Sequence, residues 1–342
     1  MHDVRDEPRR VTTISGSARR RSESVTPRLL VALGGNAIQR AHDHGAWNEA
    51  VLQMRRTADA LAEVTVPGRE LVVTHGNGPQ VGNLLREAEL GAAEVPVPPL
   101  HVLGAETQGQ LGYLIAQELS ASMQRARVPR SVLPIVSRIE VSGRDPAFHH
   151  PSKPVGRFYS AAEARRRAQT LGWRMKEDPL RRGWRRLVPS PEPLRWLEGD
   201  AVRAMLDAGF GSRCIFVVAG GGGIPVVRRG ARWVGVDAVI DKDRSAALVA
   251  RCLGAQMLVV VTDVPGAAVG YGGPHPRWLG EISLGELVDY WKRGEFADGS
   301  MGPKVEAGIR FLKEGGRSFV ITDFRSFRRA LQGRAGTRIR AD

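Results

Sequence analysis

The chain has 342 residues, of which 42% are apolar and 25% are charged, the composition of an ordinary globular protein with one or two domains. No apolar run reaches about 18 residues, so the sequence argues against a protein built on membrane-spanning helices. The two cysteines, Cys214 and Cys252, have neither metal-ligand nor redox spacing. They indicate a reducing compartment, and we expect a cytoplasmic protein without a membrane partner.

The net charge of +14 is a reason to consider a nucleic-acid partner. Much of this charge is local, because nine arginines and lysines lie between positions 165 and 186. No RNA- or DNA-binding motif accompanies them. A basic surface near a small polyanionic substrate explains them equally well. We therefore expect a small-molecule substrate and not nucleic acid.

Residues 1–27 are rich in Arg, Ser, Thr and Pro without an apolar period, so we predict a disordered basic tail. Beyond it, short apolar runs alternate with segments of helical periodicity. This alternation predicts an α/β fold, a three-layer sandwich in which a mainly parallel, open central sheet lies between helices. The predicted strands are 28–33, 71–73, 131–136, 215–219, 257–261 and, as the final strand, 319–321, with a hairpin at 225–234; the predicted helices are 47–61, one starting at 79, 107–126, 197–208, 245–253, 284–291 and 301–312.

The apolar period is lost between positions 140 and 193, where seven prolines interrupt the chain. One helix, at 160–171, is predicted within this stretch. We interpret the stretch as a small protruding subdomain or lid, inserted into a domain that spans residues 28–322. Residues 323–342 are assigned to a separate C-terminal end.

Glycine-rich turns follow three of the predicted strands, at Gly34-Gly35, at Gly76-Asn77-Gly78 and at positions 220–223. Backbone N–H groups exposed at such turns cradle phosphate oxygens. In an open parallel sheet the carboxyl ends of the strands form the ligand edge. The P-loop, the GxGxxG dinucleotide motif after the first strand and the protein-kinase catalytic loop are absent from the sequence, which argues against those three kinds of site.

Lys242 lies between Asp241 and Asp243 near the start of a predicted helix, and a cation at a helix N-terminus favours an anion. We hypothesise that Lys242 meets a transferring phosphoryl group and that Asp243 holds it in place. The alternative is that Asp241 or Asp243 is an N-cap and Lys242 is a solvated surface residue. Lysines are scarce in this arginine-rich chain, so Lys153 and Lys304 are also candidates.

Eight motifs, in this order along the chain, resemble those of the carbamate kinases in the amino-acid-kinase superfamily: VALGGNAI, THGNGPQVGNLL, TQGQLGY, SKPVGRF, RGWRRLVPSP, GGGGIPVV, GVDAVIDKD and GSMGPKVEAGI. The resemblance runs from about Leu29 to Thr322. It implies an open α/β sheet between helices, a protruding subdomain and a homodimer. It also implies the reversible reaction of ATP with carbamate to give ADP and carbamoyl phosphate, with Mg²⁺, run toward ATP in arginine or nitrogen catabolism.

The resemblance also implies residue roles. Lys242 and Lys304 contact the phosphoryl group, Asp243 orients both lysines, and Lys153 reaches the carbamate or carbamoyl end. The phosphoryl acceptor and the γ-phosphate are held by Gly34, Gly35, Asn36, Gly76, Asn77 and Gly78. The nucleotide is framed by Gly220, Gly221, Gly222, Gly223, Thr262, Asp263, Val264, Tyr271, Gly299, Ser300, Met301 and Pro303. No protein-bound metal site is assigned.

Simpler interpretations remain open for single residues. Lys304 could be a surface cation at a helix start, and Lys153 a loop lysine between prolines. For His75 we favour a structural hydrogen bond over a catalytic base, since a carbamate oxygen is already anionic. Asp298 and Gly302 depart from the family pattern near the predicted nucleotide loop.

Two rival functions are considered for the whole chain. One is a related acid kinase with a different acceptor, against which Asn36 and the intact subdomain motifs argue. The other is a non-catalytic regulator that binds nucleotide or nucleic acid through the basic subdomain. Retention of Lys242, Asp243 and Lys304 together argues against that second function.

Overall fold

The structure is a computed structural model that describes residues 27–38, 45–128, 130–178, 181–273, 275–296 and 301–341, with only the backbone of Asn36. Residues 1–26 of the predicted tail lie outside this part. So do Gly299 and Ser300 of the predicted nucleotide site, and Asp298. Among the described helices, none has an apolar stretch long enough to cross a bilayer.

Helices in the described ranges begin and end close to the positions that periodicity predicts. Pro79 lies in the first turn of its helix, as expected of a residue with no N–H to donate. In chain order the helices are α1 (Trp47–Val64), α2 (Gly78–Gly91), α3 (Leu100–Arg125), α4 (Ala161–Leu171), α5 (Gly199–Asp207), α6 (Lys242–Leu253), α7 (Leu284–Lys292), α8 (Gly302–Lys313) and α9 (Phe327–Leu331).

Strands in the described ranges are short and most lie in three separate sheets. In chain order they are β1 (Arg28–Leu33), β2 (Glu70–His75), β3 (Ser131–Pro134), β4 (Arg138–Val141), β5 (Lys153–Tyr159), β6 (Arg174–Glu177), β7 (Trp184–Val188), β8 (Pro193–Trp196), β9 (Cys214–Val217), β10 (Ile224–Arg229), β11 (Arg232–Gly235), β12 (Met257–Thr262), β13 (Ala268–Val269), β14 (Arg277–Trp278), β15 (Glu281–Ser283), β16 (Ser318–Asp323) and β17 (Thr337–Arg340).

The main sheet has the order β15-β17-β16-β12-β1-β2-β9-β3 in the described part of the chain. Its neighbouring strands run parallel, except that β16 and β17 are antiparallel. Every residue of β1 is buried, as expected of a central parallel strand covered on both faces. Helices α1, α3 and α9 pack on one face, and α5, α6, α7 and α8 pack on the other. The predicted three-layer, mainly parallel α/β fold is confirmed.

Two smaller sheets lie outside the main sheet. One has the order β11-β10-β4-β8 and contains the predicted hairpin, β10 and β11. The other is the antiparallel sheet β5-β7-β6, formed within residues 153–188 together with α4. Helix α2 covers β5 and β7 through a small apolar cluster that includes Val81, Leu85, Val155 and Val188. The first residue of β5, Lys153, is thereby held near the amino end of α2.

Three predictions of element position were wrong. The strand at 319–321 is not the last, because β17 follows it and adds to the main sheet next to β16. The helix predicted from Thr107 begins at Leu100, directly after Pro99. The 140–193 stretch contains strands as well as α4. These strands carry arginines and prolines in place of an apolar alternation, so periodicity does not reveal them.

Candidate active site

A cavity of about 260 Å³ opens where β1 and β2 end. These two strands are parallel and in register, with Leu33 beside His75, so the glycine-rich turns that follow them meet at one edge of the sheet as predicted. Helices α2, α6 and α8 begin at the cavity and β5 closes another side. Its lining includes Gly35, Gly76, Asn77, Gly78, Pro79, Lys153, Gly221, Asp241, Lys242, Asp243, Pro303 and Lys304.

The amino end of α6 forms one wall. Asp241 is the N-cap, and its side chain accepts hydrogen bonds from the backbone N–H groups of Asp243 (2.9 Å) and Arg244 (3.4 Å). Lys242 is the first residue of the helix and its side chain is only 16% exposed. The N-cap interpretation is therefore correct for Asp241, whereas Lys242 lines the cavity and is not a solvated surface lysine.

Asp243 links the two lysines predicted to meet the phosphoryl group. Its Oδ1 lies 2.5 Å from Lys242 Nζ, and its Oδ2 lies 3.3 Å from Lys304 Nζ. The Asp243 side chain is 4% exposed, so the carboxylate has little water around it and is compensated by these two ammonium groups. Lys304 stands in the first turn of α8, after Pro303. One buried carboxylate thus fixes two cations from two helices.

Lys153 reaches the same cavity from β5. Its Nζ lies 2.5 Å from Asp241 Oδ2. Burial alone would raise the pKa of the Asp241 carboxyl, but the charge and hydrogen bond of Lys153, together with the charge of Lys242, hold that pKa below its ordinary value. Lys153 is therefore held by a carboxylate at the cavity and is not a freely solvated loop lysine.

The turn after β2 is held in place by a hydrogen bond to α3. Asn77 is buried and donates from Nδ2 to Thr107 Oγ1 at 2.8 Å, and Thr107 in turn donates to the Gly104 carbonyl at 2.7 Å. A Cβ on Gly76 would lie 3.2 Å from Lys242 Cδ, so the bare glycine leaves room for the lysine stem. The sequence does not predict the role of Thr107, which it contains only as part of the TQG motif, and it predicts Asp241 only as a possible N-cap, because the partners of both side chains lie far away in the chain.

His75 is buried beneath this turn. Its Nδ1 lies 3.0 Å from the Gly76 carbonyl, to which it donates. Burial lowers the pKa of His75 to about 4, so the ring is neutral near pH 7. A neutral imidazole that donates to the backbone agrees with the structural role expected of His75.

The four glycines at 220–223 allow close packing more than they expose N–H groups. A Cβ on Gly221, whose φ is +65°, would overlap the Asn77 side chain, and the Gly222 carbonyl accepts from Ser245 Oγ at 2.7 Å. Gly221 lines the cavity beside Asn77. Gly220 packs on His75 and Gly223 packs on Ile139. This run therefore joins the turn after β2 to the start of α6.

Of the other described residues predicted to bind nucleotide, Pro303 lines the cavity, whereas Thr262, Asp263, Val264, Tyr271 and Met301 lie outside its lining. Strand β12 is parallel to β1, which brings Thr262, Asp263 and Val264 to the same sheet edge as Gly34. Thr262 Oγ1 donates to Asp263 Oδ1 at 3.0 Å. Tyr271 is 62% exposed beside Trp278. Met301 precedes α8, and Pro303 lines the cavity.

Comparisons with known proteins agree with this architecture. The sequence model described as the amino acid kinase family matches residues 27–323. The carbamate kinase of Thermococcus kodakarensis is 43% identical over 315 residues, which cover 91% of this chain and 98% of that protein. The carbamate kinase of Pyrococcus horikoshii is 41% identical over 314 residues, with the same two shares.

A solved structure shows the same likeness in three dimensions. The carbamate kinase of Giardia lamblia bound to AMP-PNP is 37% identical and superposes with a TM-score of 0.84, covering 92% of this chain and 99% of that one. Sequence and structure therefore agree along nearly the whole described chain. The chain belongs to the amino acid kinase family, within its carbamate kinase group, and is a phosphotransferase.

Proposed function

We propose that the protein catalyses reversible phosphoryl transfer, in which ATP and carbamate give ADP and carbamoyl phosphate. The observation that carries this proposal is the Asp243 carboxylate with Lys242 on one oxygen and Lys304 on the other, at the wall of a cavity lined by glycine turns. Phosphoryl transfer between two anions needs charge neutralisation and alignment more than it needs a base. A pair of preorganised cations supplies both.

In the direction of ATP formation, a β-phosphate oxygen of ADP attacks the phosphorus of carbamoyl phosphate. The bond from phosphorus to the carbamate oxygen breaks, and carbamate leaves as an anion. Lys242 and Lys304 neutralise the oxygens of the phosphoryl group in flight, and Asp243 keeps both ammonium groups in place. Backbone N–H groups at Gly35 and Gly78 hold the same oxygens, aided by the amino end of α2. We extend this phosphate-binding role to Asn36 and Asn77. The Gly76 N–H donates to the Leu33 carbonyl at 3.0 Å, so Gly76 is proposed to serve the phosphate site by leaving room for the Lys242 stem. The Gly34 N–H donates to the Val261 carbonyl at 2.9 Å, so Gly34 is proposed to shape the phosphate site without donating to it.

The neutral state of His75 supports a mechanism without a protein base. With a pKa of about 4, the buried imidazole is a weak base that takes up no proton at neutral pH, and its Nδ1–H is directed at the Gly76 carbonyl. The attacking oxygen of ADP and the leaving carbamate are both anionic, so no proton has to move in the transfer step. We assign His75 to support of the turn alone.

Lys153 is proposed to bind the carbamoyl end. It is the lining cation that comes from β5, and it lies within residues 140–193, which we propose act as a lid-like subdomain. The substrate nucleotide enters as its Mg²⁺ complex. Asp241 and Asp243 both contact lysines, which supports a metal carried by the nucleotide phosphates.

We propose that the nucleotide lies along the sheet edge after β12. Thr262, which begins the exposed turn there, and Pro303, on the cavity wall, support this position. The remaining proposed contacts are Gly220, Gly221, Gly222, Gly223, Asp263, Val264, Tyr271, Gly299, Ser300 and Met301.

We further propose a cytoplasmic homodimer that runs toward ATP in arginine or nitrogen catabolism. Support for the dimer comes from exposed apolar side chains on α3 and at the adjoining edge strand β3, namely Val102, Tyr113 and Leu133. The direction depends on metabolite levels, since the same cavity serves both. Sedimentation velocity at assay concentration measures the oligomeric state.

The function is tested by mixing the purified protein with ADP, Mg²⁺ and carbamoyl phosphate and coupling ATP formation to an optical readout. We expect rapid ATP formation, much slower turnover with acetyl phosphate, and loss of turnover in Lys304→Ala. A folded protein that makes no ATP would contradict the proposal. Phosphorylation of another carboxylate acceptor would identify a related acid kinase, and salt-dependent binding to nucleic acid without turnover would identify a binding protein.

A further inference from the structure

Asp241 uses its two carboxylate oxygens for two different structural elements. Oδ1 caps α6 by accepting from the Asp243 N–H at 2.9 Å, and Oδ2 accepts from Lys153 Nζ at 2.5 Å. Lys153 is 88 residues away in sequence and belongs to the β5-β7-β6 sheet. The carboxylate therefore joins the amino end of α6 to the cation that comes from β5.

The segment before Asp241 is tied to the same region a second time. The Val239 N–H donates to the Pro189 carbonyl at 2.9 Å, just beyond the end of β7. β5 and β7 are paired, with Lys153 opposite Val188, the residue before Pro189. The backbone hydrogen bond at Pro189 and the ion pair at Lys153 therefore hold adjacent positions of the same small sheet. Two independent contacts thus fix β5 against the start of α6.

The charges at the cavity are divided into two sets. Among the described lining residues, three are lysines and two are aspartates. Asp243 compensates Lys242 and Lys304, whereas Asp241 compensates Lys153. An ammonium group has three N–H donors, so Lys153 keeps donors for a ligand while one is held by Asp241. Its side chain is 34% exposed, which leaves it accessible from the cavity.

We infer that Asp241 is a positioning residue that couples Lys153 to the cap of α6, so that the cation for the carbamoyl end stands at a fixed place relative to Lys242 and Lys304. This inference rests on the proposed function for what Lys153 binds. It deepens that function, since it assigns alignment of the two ends of the substrate to one carboxylate. Asp241 itself touches neither reacting group.

The direct test is Asp241→Asn. The amide oxygen of the asparagine can still cap α6, and Lys153 then faces an uncharged amide group. The ion pair is therefore lost while the helix cap is kept. We expect the KM for carbamoyl phosphate to rise about tenfold, with a smaller change in the KM for ADP. An unchanged KM for carbamoyl phosphate would overturn the inference.

A double-mutant cycle separates positioning from capping. Lys153→Gln should raise the same KM, and adding Asp241→Asn to Lys153→Gln should raise it no further, because Asp241 acts only through Lys153. If Asp241→Asn raises the KM for carbamoyl phosphate by the same factor in the wild type and in Lys153→Gln, Asp241 acts through α6 alone and the inference is overturned. The matched control is Asp145→Asn, another N-cap aspartate, whose side chain bonds Ala147 N and Glu192 N away from the cavity. It should leave the KM unchanged.

A second readout does not need the reaction. The rate at which a lysine-acylating reagent modifies Lys153, measured by peptide mass spectrometry, should rise several-fold in Asp241→Asn, with exposed Lys176 on β6 as internal reference. Unchanged labelling would overturn the inference. This readout is independent of the proposed function, so it remains decisive even if the wild-type protein makes no ATP. If the Asn variant does not fold, Asp241→Ser serves, because serine caps a helix but cannot reach Lys153.

Discussion

The proposed phosphoryl and carbamoyl ends of the cavity both pair lysines with a buried carboxylate, but their lysines come from different kinds of element. At the phosphoryl end, Lys242 and Lys304 project from α6 and α8, which pack against each other on the main sheet, and share Asp243. At the proposed carbamoyl end, Lys153 projects from a small three-stranded sheet and meets Asp241, the N-cap of α6. The cations of the proposed phosphoryl end thus stand on two helices of the main sheet, and the cation of the carbamoyl end is held by a contact between the small sheet and a helix cap. We expect substitutions at the first end to affect the chemical step and at the second to affect substrate binding.

The largest effect is expected at the phosphoryl end. Lys242→Ala or Lys304→Ala should each lower kcat by about 100-fold or more, because a preorganised charge facing the phosphoryl group is removed. Steady-state kinetics with saturating ADP and carbamoyl phosphate measures this. Lys313→Ala, at the exposed carboxyl end of α8, is the matched control and should keep wild-type kcat. Normal turnover in Lys242→Ala would contradict the role assigned to that lysine.

The carbamoyl end should respond differently. Lys153→Ala should raise the KM for carbamoyl phosphate by about tenfold or more and change the KM for ADP much less, because Lys153 is proposed to bind the carbamoyl end only. The exposed Lys176→Ala variant in the same small sheet provides the control. Equal increases in both KM values would remove the distinction between the two ends.

Two neighbouring glycines, Gly34 and Gly35, test how tightly the turn at the proposed phosphoryl end packs against the main sheet. A Cβ on Gly34 would lie 2.7 Å from the Val261 carbonyl oxygen, which belongs to β12 and cannot move aside, whereas a Cβ on Gly35 meets open space. Gly34→Ala should lower the free energy of unfolding by about 1–3 kcal/mol. Gly35→Ala should leave it unchanged and act only on substrate binding. Chemical denaturation of both variants measures the difference, and equal stabilities would contradict it.

The smallest effect concerns pH. His75 has a folded-state pKa of about 4 against an ordinary value of 6.5, because burial disfavours the imidazolium. As the pH falls, the imidazole of the unfolded chain is protonated before that of the folded chain. Burial of the neutral His75 therefore contributes to the free energy of unfolding fully above pH 6.5, and this contribution is lost as the pH falls toward 4. The slope is at most about 1.4 kcal/mol per pH unit. His75→Asn, which can still donate to the Gly76 carbonyl, should remove this slope from urea unfolding measured between pH 7 and 5; an unchanged slope would exclude His75 as its source.

Much of the core was predictable because central parallel strands contain continuous apolar runs, as β1, β2 and β12 do, and because β1 and β2 lead directly into glycines. The small sheet β5-β7-β6 was not, because each of its strands carries basic residues and β5 is also interrupted by Pro154 and Gly156. Strand β17 was missed because its sequence, TRIR, offers only four residues of alternation.

The candidate site was predictable to a similar degree. Lys242, Asp243 and Lys304 follow from motifs and meet as expected. The cap at Asp241 was one of two options, and its bond to Lys153 depends on a contact across 88 residues, which no local pattern records. The amide of Asn36 and residues Gly299 and Ser300 lie outside the described part, and their roles stay predictions.

The most direct test of the account is to follow the fate of the phosphoryl group. In ³¹P NMR of the protein with ADP, Mg²⁺ and carbamoyl phosphate, the carbamoyl phosphate signal should decline as the γ-phosphate signal of ATP rises one for one. This result is predicted because Lys242 and Lys304, both paired with Asp243, are proposed to hold the group between its donor and acceptor. Release of inorganic phosphate without ATP would show hydrolysis, and would contradict a cavity built for transfer.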